Sequence, residues 1–219
     1  MNNSWCDEAW ETAKPYFDKI KELPFINELM DGTLKQEQFM HYIAQDSIYL
    51  GEYGKVLAGI GSKLSDSGQR SSFLKFASDT VFVEQELHRG FMDSLKNRTH
   101  PTATPACLLY TSYLHKQLAM EPVEVAVAAV LPCFVMYKKI GDSILQNQSV
   151  QNNPYQKWIN TYGGDDFAEA VLQAEGITNK LAGNVTAEIR KKMMDMYITS
   201  TKMEWMFWHS AYELEKWPL

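Results

Sequence analysis

The sequence predicts an all-α protein, and three observations carry that expectation. Apolar residues recur at three- and four-residue intervals over long stretches. Alternating β-branched runs, the mark of half-buried strands, are few. Glycine, asparagine, aspartate and most prolines fall between the periodic stretches, where caps and turns need them. Neither an internal repeat nor a linker-like segment divides the chain, so residues 1–219 read as one helical domain with length enough to bury a core.

Ser4 is placed to cap a first helix through Trp10, Ala13, Phe17 and Ile20, with Asp7 as an acidic first-turn partner and Pro15 as an expected interruption. Pro24 to Leu29 reads as a short helix closed by the turn Asp31-Gly32-Thr33. Leu34 to about Ile60 is a long helix whose apolar stripe carries Phe39, Ile43, Leu50, Tyr53 and Leu57. Ser65 to Arg70 is expected to be a polar break, followed by a helix from about Ser71 to Leu95 through Phe73, Phe76, Phe82, Leu87 and Phe91, with Glu84 and His88 paired on one face. Beyond Pro101 and Pro105 a helix carries Tyr110, Tyr113, Leu114 and Leu118. The next starts at Met120-Glu121-Pro122 and runs to about Ile144. Tyr155 to Ile159 is a short helical piece, and Thr161-Tyr162-Gly163-Gly164-Asp165 a tight turn that sets Tyr162 at an element end. Phe167 to about Leu181 follows, and Thr186 caps a last long helix through Ile189, Met193, Met196, Ser200, Met203, Phe207 and Ala211.

Composition excludes several functions. A net charge of -6 without a basic stripe argues against nucleic acid as a partner. No window approaches the roughly twenty apolar residues of a membrane span, and Met1 to Trp5 shows no basic leader, so a cytoplasmic protein without membrane attachment is expected. Three scattered cysteines, Cys6, Cys107 and Cys133, make neither a disulfide framework nor a thiolate metal site, and the odd number leaves at least one free thiol, as a reducing compartment permits. The histidines His41, His88, His100, His115 and His209 form neither HExxH nor the Glu-x-x-His pairs of a diiron bundle. The paired glycines at 163–164 follow no strand, which excludes a dinucleotide fingerprint.

Three polar residues stand out against the apolar pattern. Asp46 lies on the stripe between Ile43 and Leu50, where an aspartate needs a bonding partner because a buried unpaired charge costs several kcal/mol. It is either a structural aspartate or the group that grips a polar heterocycle while Tyr49 or Tyr53 packs on the ring; His41 and Tyr42 precede it as supporting or interface residues. Cys133 follows Pro132 inside an apolar helix, four residues before Tyr137 and on the same face; it is either an inert core thiol or a nucleophile beside a helix that the proline opens. Glu204, beside the buried face of the last helix among Met203, Trp205, Phe207 and Trp208, is either an edge-facing structural residue or an acid whose pKa burial raises toward neutrality.

The chain resembles the TenA, or thiaminase II, family, and the resemblance spans essentially its whole length. It is carried by Gln45-Asp46-Ser47-Ile48-Tyr49-Leu50, Tyr110-Thr111-Ser112, Leu131-Pro132-Cys133-Phe134-Val135-Met136-Tyr137, Tyr155-Gln156-Lys157-Trp158-Ile159 with Thr161-Tyr162-Gly163-Gly164-Asp165, and Glu204-Trp205-Met206-Phe207-Trp208, in the family's order and near its spacing. Ile48 and Val135-Met136 depart from it, standing where aromatics are common in relatives.

The resemblance implies a haem-oxygenase-like helical bundle that uses neither haem nor any other cofactor or metal. It also implies an enzyme, acting in thiamine salvage, that hydrolyses 4-amino-5-aminomethyl-2-methylpyrimidine to the hydroxymethyl compound with release of ammonia, and that cleaves thiamine by the same logic. Carried over, Cys133 is the nucleophile and Glu204 the acid/base group. Asp46 binds the aminopyrimidine, Tyr49, Tyr137 and Phe207 line or stack on its ring, Tyr110 bonds near the thiol, and Tyr162 completes the polar side. The partner is then a small aminopyrimidine or thiamine, and the assembly a homo-oligomer, a tetramer. The alternative is a non-catalytic pyrimidine-binding or regulatory helical protein.

Overall fold

The computed structural model describes residues 4–91 and 101–218, with the backbone alone for 82–91. The expected Glu84–His88 pair, the inward faces of Phe82, Leu87 and Phe91, and His100 lie outside the described side chains. Among the described residues every regular element is a helix: α1 (Trp5–Lys21), α2 (Pro24–Met30), α3 (Gln36–Lys63), α4 (Ser67–Phe91), α5 (Pro105–Met120), α6 (Val123–Asn147), α7 (Gln156–Gly163), α8 (Asp165–Ala182) and α9 (Ala187–Tyr212).

Side-chain caps begin several of them. Ser4 and Asp7 form a reciprocal capping box, the Asp7 N–H donating to Ser4 Oγ at 3.2 Å and the Ser4 N–H to the Asp7 carboxylate at 2.9 Å. Thr104 and Thr186 cap α5 and α9. Asp66 accepts from the Gln69 N–H at 2.9 Å, so α4 starts at Ser67. The break expected over 65–70 is therefore shorter than the polarity of those residues suggested. Pro15 does not interrupt α1 either. Its side of the helix is exposed, so water can take the carbonyl that lacks an N–H partner, while Ala13, Phe17 and Ile20 stay buried beneath.

α6 is the centre of the molecule. Every residue from Val125 to Pro132 is buried, as are Phe134 to Tyr137. That stretch meets α9 most extensively, then α7 and α8, with α3 and α5 on the remaining sides. Each fully buried Val or Leu there contributes on the order of 2 kcal/mol, which makes α6 the element that the others are assembled on. A helix apolar all round belongs in a protein interior.

The α6–α7 contact is made backbone to backbone. A Cβ added at Gly141 would stand 2.6 Å from the Gly163 nitrogen, closer than any side chain allows. α7 consequently continues through Tyr162 and Gly163, and Gly164 alone joins it to α8. The tight turn expected over 161–165 is thus two helix ends separated by one residue. On the opposite side, the Gln45 amide ties α3 to the start of α5, donating to the Thr102 carbonyl at 3.1 Å and accepting from the Thr104 N–H at 2.9 Å. No described helix is long and apolar enough to cross a membrane.

Candidate active site

A cavity of about 90 Å³ opens beside the middle of α6. Asp46 and Tyr53 of α3, Cys133 and Tyr137 of α6 and Tyr162 of α7 line it, and Phe76, Phe134 and Phe167 make apolar walls. Phe76, Asp79, Thr161, Phe167 and Ala170 are shared with a surface groove of about 810 Å³, into which the cavity leads. Tyr49, Tyr110, Glu204 and Phe207 stand in a layer behind this lining. The Tyr49 ring lies 5.4 Å from that of Tyr53, 5.0 Å from Tyr110 and 5.5 Å from Phe207.

Glu204 is 1% exposed, so it is no edge residue of α9. Its Oε1 accepts a 2.7 Å hydrogen bond from the Tyr110 hydroxyl. Burial pushes its pKa up to about 8; the Tyr110 bond pulls the other way, and the charge of Asp46 adds to the rise. At neutral pH the carboxyl therefore holds its proton. Asp46 is itself buried on the cavity wall.

Cys133 is the part-buried member of the three free cysteines, whereas Cys6 and Cys107 are buried. Its thiol pKa is raised well above the usual value by burial first and then by the charge of Glu204. The neighbouring hydroxyls of Tyr49 and Tyr53 oppose that rise. The resting group is thus a neutral thiol, to be ionised only with help from its neighbours. Burial also holds the hydroxyls of Tyr49, Tyr53, Tyr110, Tyr137 and Tyr162 far above their normal pKa, so each remains a neutral donor. α6 runs on through Pro132, so the opening expected beside Cys133 does not end the helix. The Tyr53 hydroxyl donates to the carbonyl of Val130 at 2.9 Å, which ties α3 to this stretch of α6.

The aromatic side of the site is itself supported. Trp158 Nε1 donates to the Tyr42 hydroxyl at 3.2 Å, and the Tyr42 hydroxyl donates to that of Tyr137 at 3.2 Å. Tyr137 also meets Tyr162 at 4.7 Å and Trp208 at 4.9 Å between ring centroids. Tyr42 is therefore a buried support for Tyr137, while His41 is influenced by Lys216 and Glu215 of the C-terminal segment and belongs to that side of α3. Sequence reasoning missed the walls contributed by Phe76 and Phe167, for which no local signal exists, and gave Phe134 no role, although it is the neighbour of Cys133.

The sequence pattern of the TENA/THI-4/PQQC family matches residues 10–214. The chain belongs to this family. Among its relatives is the aminopyrimidine aminohydrolase of Bacillus subtilis, 33% identical over 218 residues, covering 97% of this chain and 92% of that protein. The TenA homologue of Pyrococcus furiosus superposes with a TM-score of 0.89 at 17% identity, over 94% of this chain and 99% of the other. A Shewanella denitrificans domain described as having a heme oxygenase-like fold superposes with a TM-score of 0.73 at 13% identity, over 95% and 92% of the two chains. The all-α fold is therefore the haem-oxygenase-like one. In this TenA-family chain, the five sequence blocks from separate helices meet around one cavity and the layer behind it.

Proposed function

We propose that the chain is an aminopyrimidine aminohydrolase of the thiaminase II type, acting by covalent catalysis from Cys133. The observation that carries this reading is a thiol on the wall of a ring-sized cavity, influenced by a buried acid that keeps its proton at neutral pH. The amine of an aminomethylpyrimidine is a poor leaving group until the aromatic ring is disrupted. The Cys133 sulfur forms a bond to the unsubstituted ring carbon, Glu204 gives its proton to a ring nitrogen, and the thiol proton passes to the Glu204 carboxylate. Electrons released through the ring then break the exocyclic C–N bond, and the nitrogen takes the pair together with the proton that Glu204 regained from the thiol, leaving as ammonia. Water adds to the exocyclic methylene and gives its proton to the Glu204 carboxylate; the C–S bond breaks, the proton on the ring nitrogen passes to the departing sulfur, and aromaticity returns.

Asp46 accepts from the amino-substituted edge of the ring, while Tyr137 and Tyr162 face it and Phe207 and Tyr49 back them. Tyr110 holds Glu204 in place. The cavity takes one heterocycle, and the groove beyond it has room for the second ring of thiamine. Residues 1–219 act as one domain, in a cytoplasm that keeps Cys133 reduced. Leu108 and Leu109 of α5 and Leu172 of α8 are exposed apolar residues that suit self-association, and we infer the tetramer expected from the resemblance.

The test is to incubate the purified chain and its Cys133→Ser variant with aminomethylpyrimidine and with thiamine, following ammonia and hydroxymethylpyrimidine. Turnover by the wild type and a fall in kcat of about 10³-fold or more in the variant are expected. Wild-type-like turnover by Cys133→Ser would remove covalent catalysis, and ligand binding without product from either protein would make the chain a binding protein.

A further inference from the structure

Tyr53 has no part in the chemistry above, yet it touches more of the nucleophile's surroundings than any role in ring stacking requires. It lies one turn beyond Tyr49 on α3, is 3% exposed, and stacks on Tyr49 at 20° between ring planes. It lines the cavity together with Cys133. Its hydroxyl donates to the Val130 carbonyl at 2.9 Å, and that carbonyl lies three residues before the cysteine, on the stretch of α6 where Pro132 supplies no N–H to the preceding turn. The same hydroxyl is among the neighbours that pull the Cys133 thiol pKa down against the effect of burial.

A phenol has one proton to give. While it bonds to Val130, the oxygen of Tyr53 can accept the S–H of Cys133; turned toward sulfur, it stabilises a thiolate. Tyr49 differs, because its buried hydroxyl makes no full hydrogen bond and is free to follow the sulfur. Tyr53 shares the cavity wall with the thiol and is bonded to the backbone of the helix that bears it.

We propose that Tyr53 is a positioning residue for Cys133: by tying α3 to the Val130 carbonyl, its hydroxyl keeps the Cys133 sulfur directed at the cavity. The inference rests on Cys133 being the nucleophile, as in the reading above. Among the described residues, the titratable groups around the sulfur are Asp46, Tyr42, Tyr49 and Tyr53 from α3, Tyr110 from α5, Tyr137 from its own helix, Tyr162 from α7 and Glu204 from α9, with Asp79 of α4 at the cavity mouth; α8 contributes the uncharged Phe167 and Ala170. All the titratable members are acids or phenols. Among these described residues, the hydroxyls are the donors that favour the thiolate.

The experiment is alkylation of Cys133 by iodoacetamide in the full chain, followed from neutral to alkaline pH, with the Cys6 and Cys107 peptides resolved by mass. Tyr53→Phe keeps the ring and removes the anchor. The alkylation curve should move to higher pH and the rate at neutral pH fall about three- to tenfold, the effect of one neutral hydrogen bond. The kcat should fall by a similar factor with KM unchanged. A curve superimposable on the wild type overturns the proposal. Should Tyr53→Phe fail to fold, Tyr53→4-fluorophenylalanine fills the space of the hydroxyl without its donor; its curve should move to higher pH, and an unmoved curve again overturns the proposal. Alkylation needs no substrate. A shifted Tyr53→Phe curve in a chain that turns nothing over retires the enzymatic reading alone, whereas an unshifted curve in an active enzyme retires the role of Tyr53 alone.

Discussion

The Tyr110 hydroxyl donates to Glu204 Oε1 at 2.7 Å, joining α5 to α9 behind the nucleophile. This bond favours the ionised carboxylate, and it opposes the burial that lifts the pKa of Glu204 to about 8. Two effects should end activity as Glu204 ionises: the ring nitrogen loses its proton donor, and the new negative charge disfavours the Cys133 thiolate. The kcat of the wild type should therefore decline above about pH 8. In Tyr110→Phe the donor is gone, so the decline should move to higher pH, by about one unit for a bond to a charged group. Rate profiles of the two proteins against pH check this, and a decline that moves to lower pH would count against Glu204 as the acid.

The same carboxyl makes a prediction about stability. Its folded-state pKa of about 8 lies above the unfolded value of 4.5, so the native protein binds the proton more tightly between them. A group raised in this way stabilises the fold fully below about 4.5, and the contribution is lost as pH climbs through about 8. Each pH unit separating the two values is worth about 1.4 kcal/mol, so the loss amounts to several kcal/mol. Glu204→Gln cannot ionise. Its melting temperature relative to the wild type should rise steadily between those pH values, and parallel melting curves across the range would show that Glu204 does not titrate there.

Some of this was legible in the residues and some was not. Asp46 and Glu204 could be picked out because an acid on or beside an apolar helical stripe is an exception to a strong rule. Cys133 and Tyr137 could be placed on one face by their four-residue separation. Ser4 and Thr186 begin helices for local reasons, and local reasons are what sequence displays. Pro15 misled because its effect depends on which side of α1 faces water, a tertiary fact. The hydrogen bond from Tyr53 to Val130 joins residues 77 positions apart, and Phe76 and Phe167 reach the cavity from helices with no motif to mark them. Contacts of that kind depend on how helices pack against α6, and periodicity within one helix carries no record of its neighbours.

Asp46 tests the division between binding and chemistry. It sits on the cavity wall, while Glu204 stands in the layer behind. If it anchors the ring edge, Asp46→Asn should raise KM by about tenfold to a hundredfold, the worth of a hydrogen bond to a charged group of roughly 1.5–3 kcal/mol. The kcat should change much less. Isothermal titration of the substrate into a Cys133→Ser background separates the two, because binding can be read there without turnover. Equal affinity with and without the Asp46 carboxylate would make it a structural residue.

Gly141 links the fold to the site through a single hydrogen atom. Its Cα hydrogen lies where a Cβ would meet the Gly163 nitrogen at 2.6 Å and the Tyr162 carbonyl carbon at 2.7 Å. Both obstacles are backbone, so neither can swing aside, and Gly141→Ala must push α7 away from α6. Overpacking of this kind costs about 1–3 kcal/mol, which should lower the melting temperature by several degrees in a chain of this length. Because Tyr162 rides on the displaced segment, its ring should also leave the 4.7 Å contact with Tyr137, and KM should rise while the Cys133 alkylation rate, set by α3 and α6, holds. A variant as stable as the wild type, with unchanged KM, would show that the two helices do not need this close approach to build the cavity.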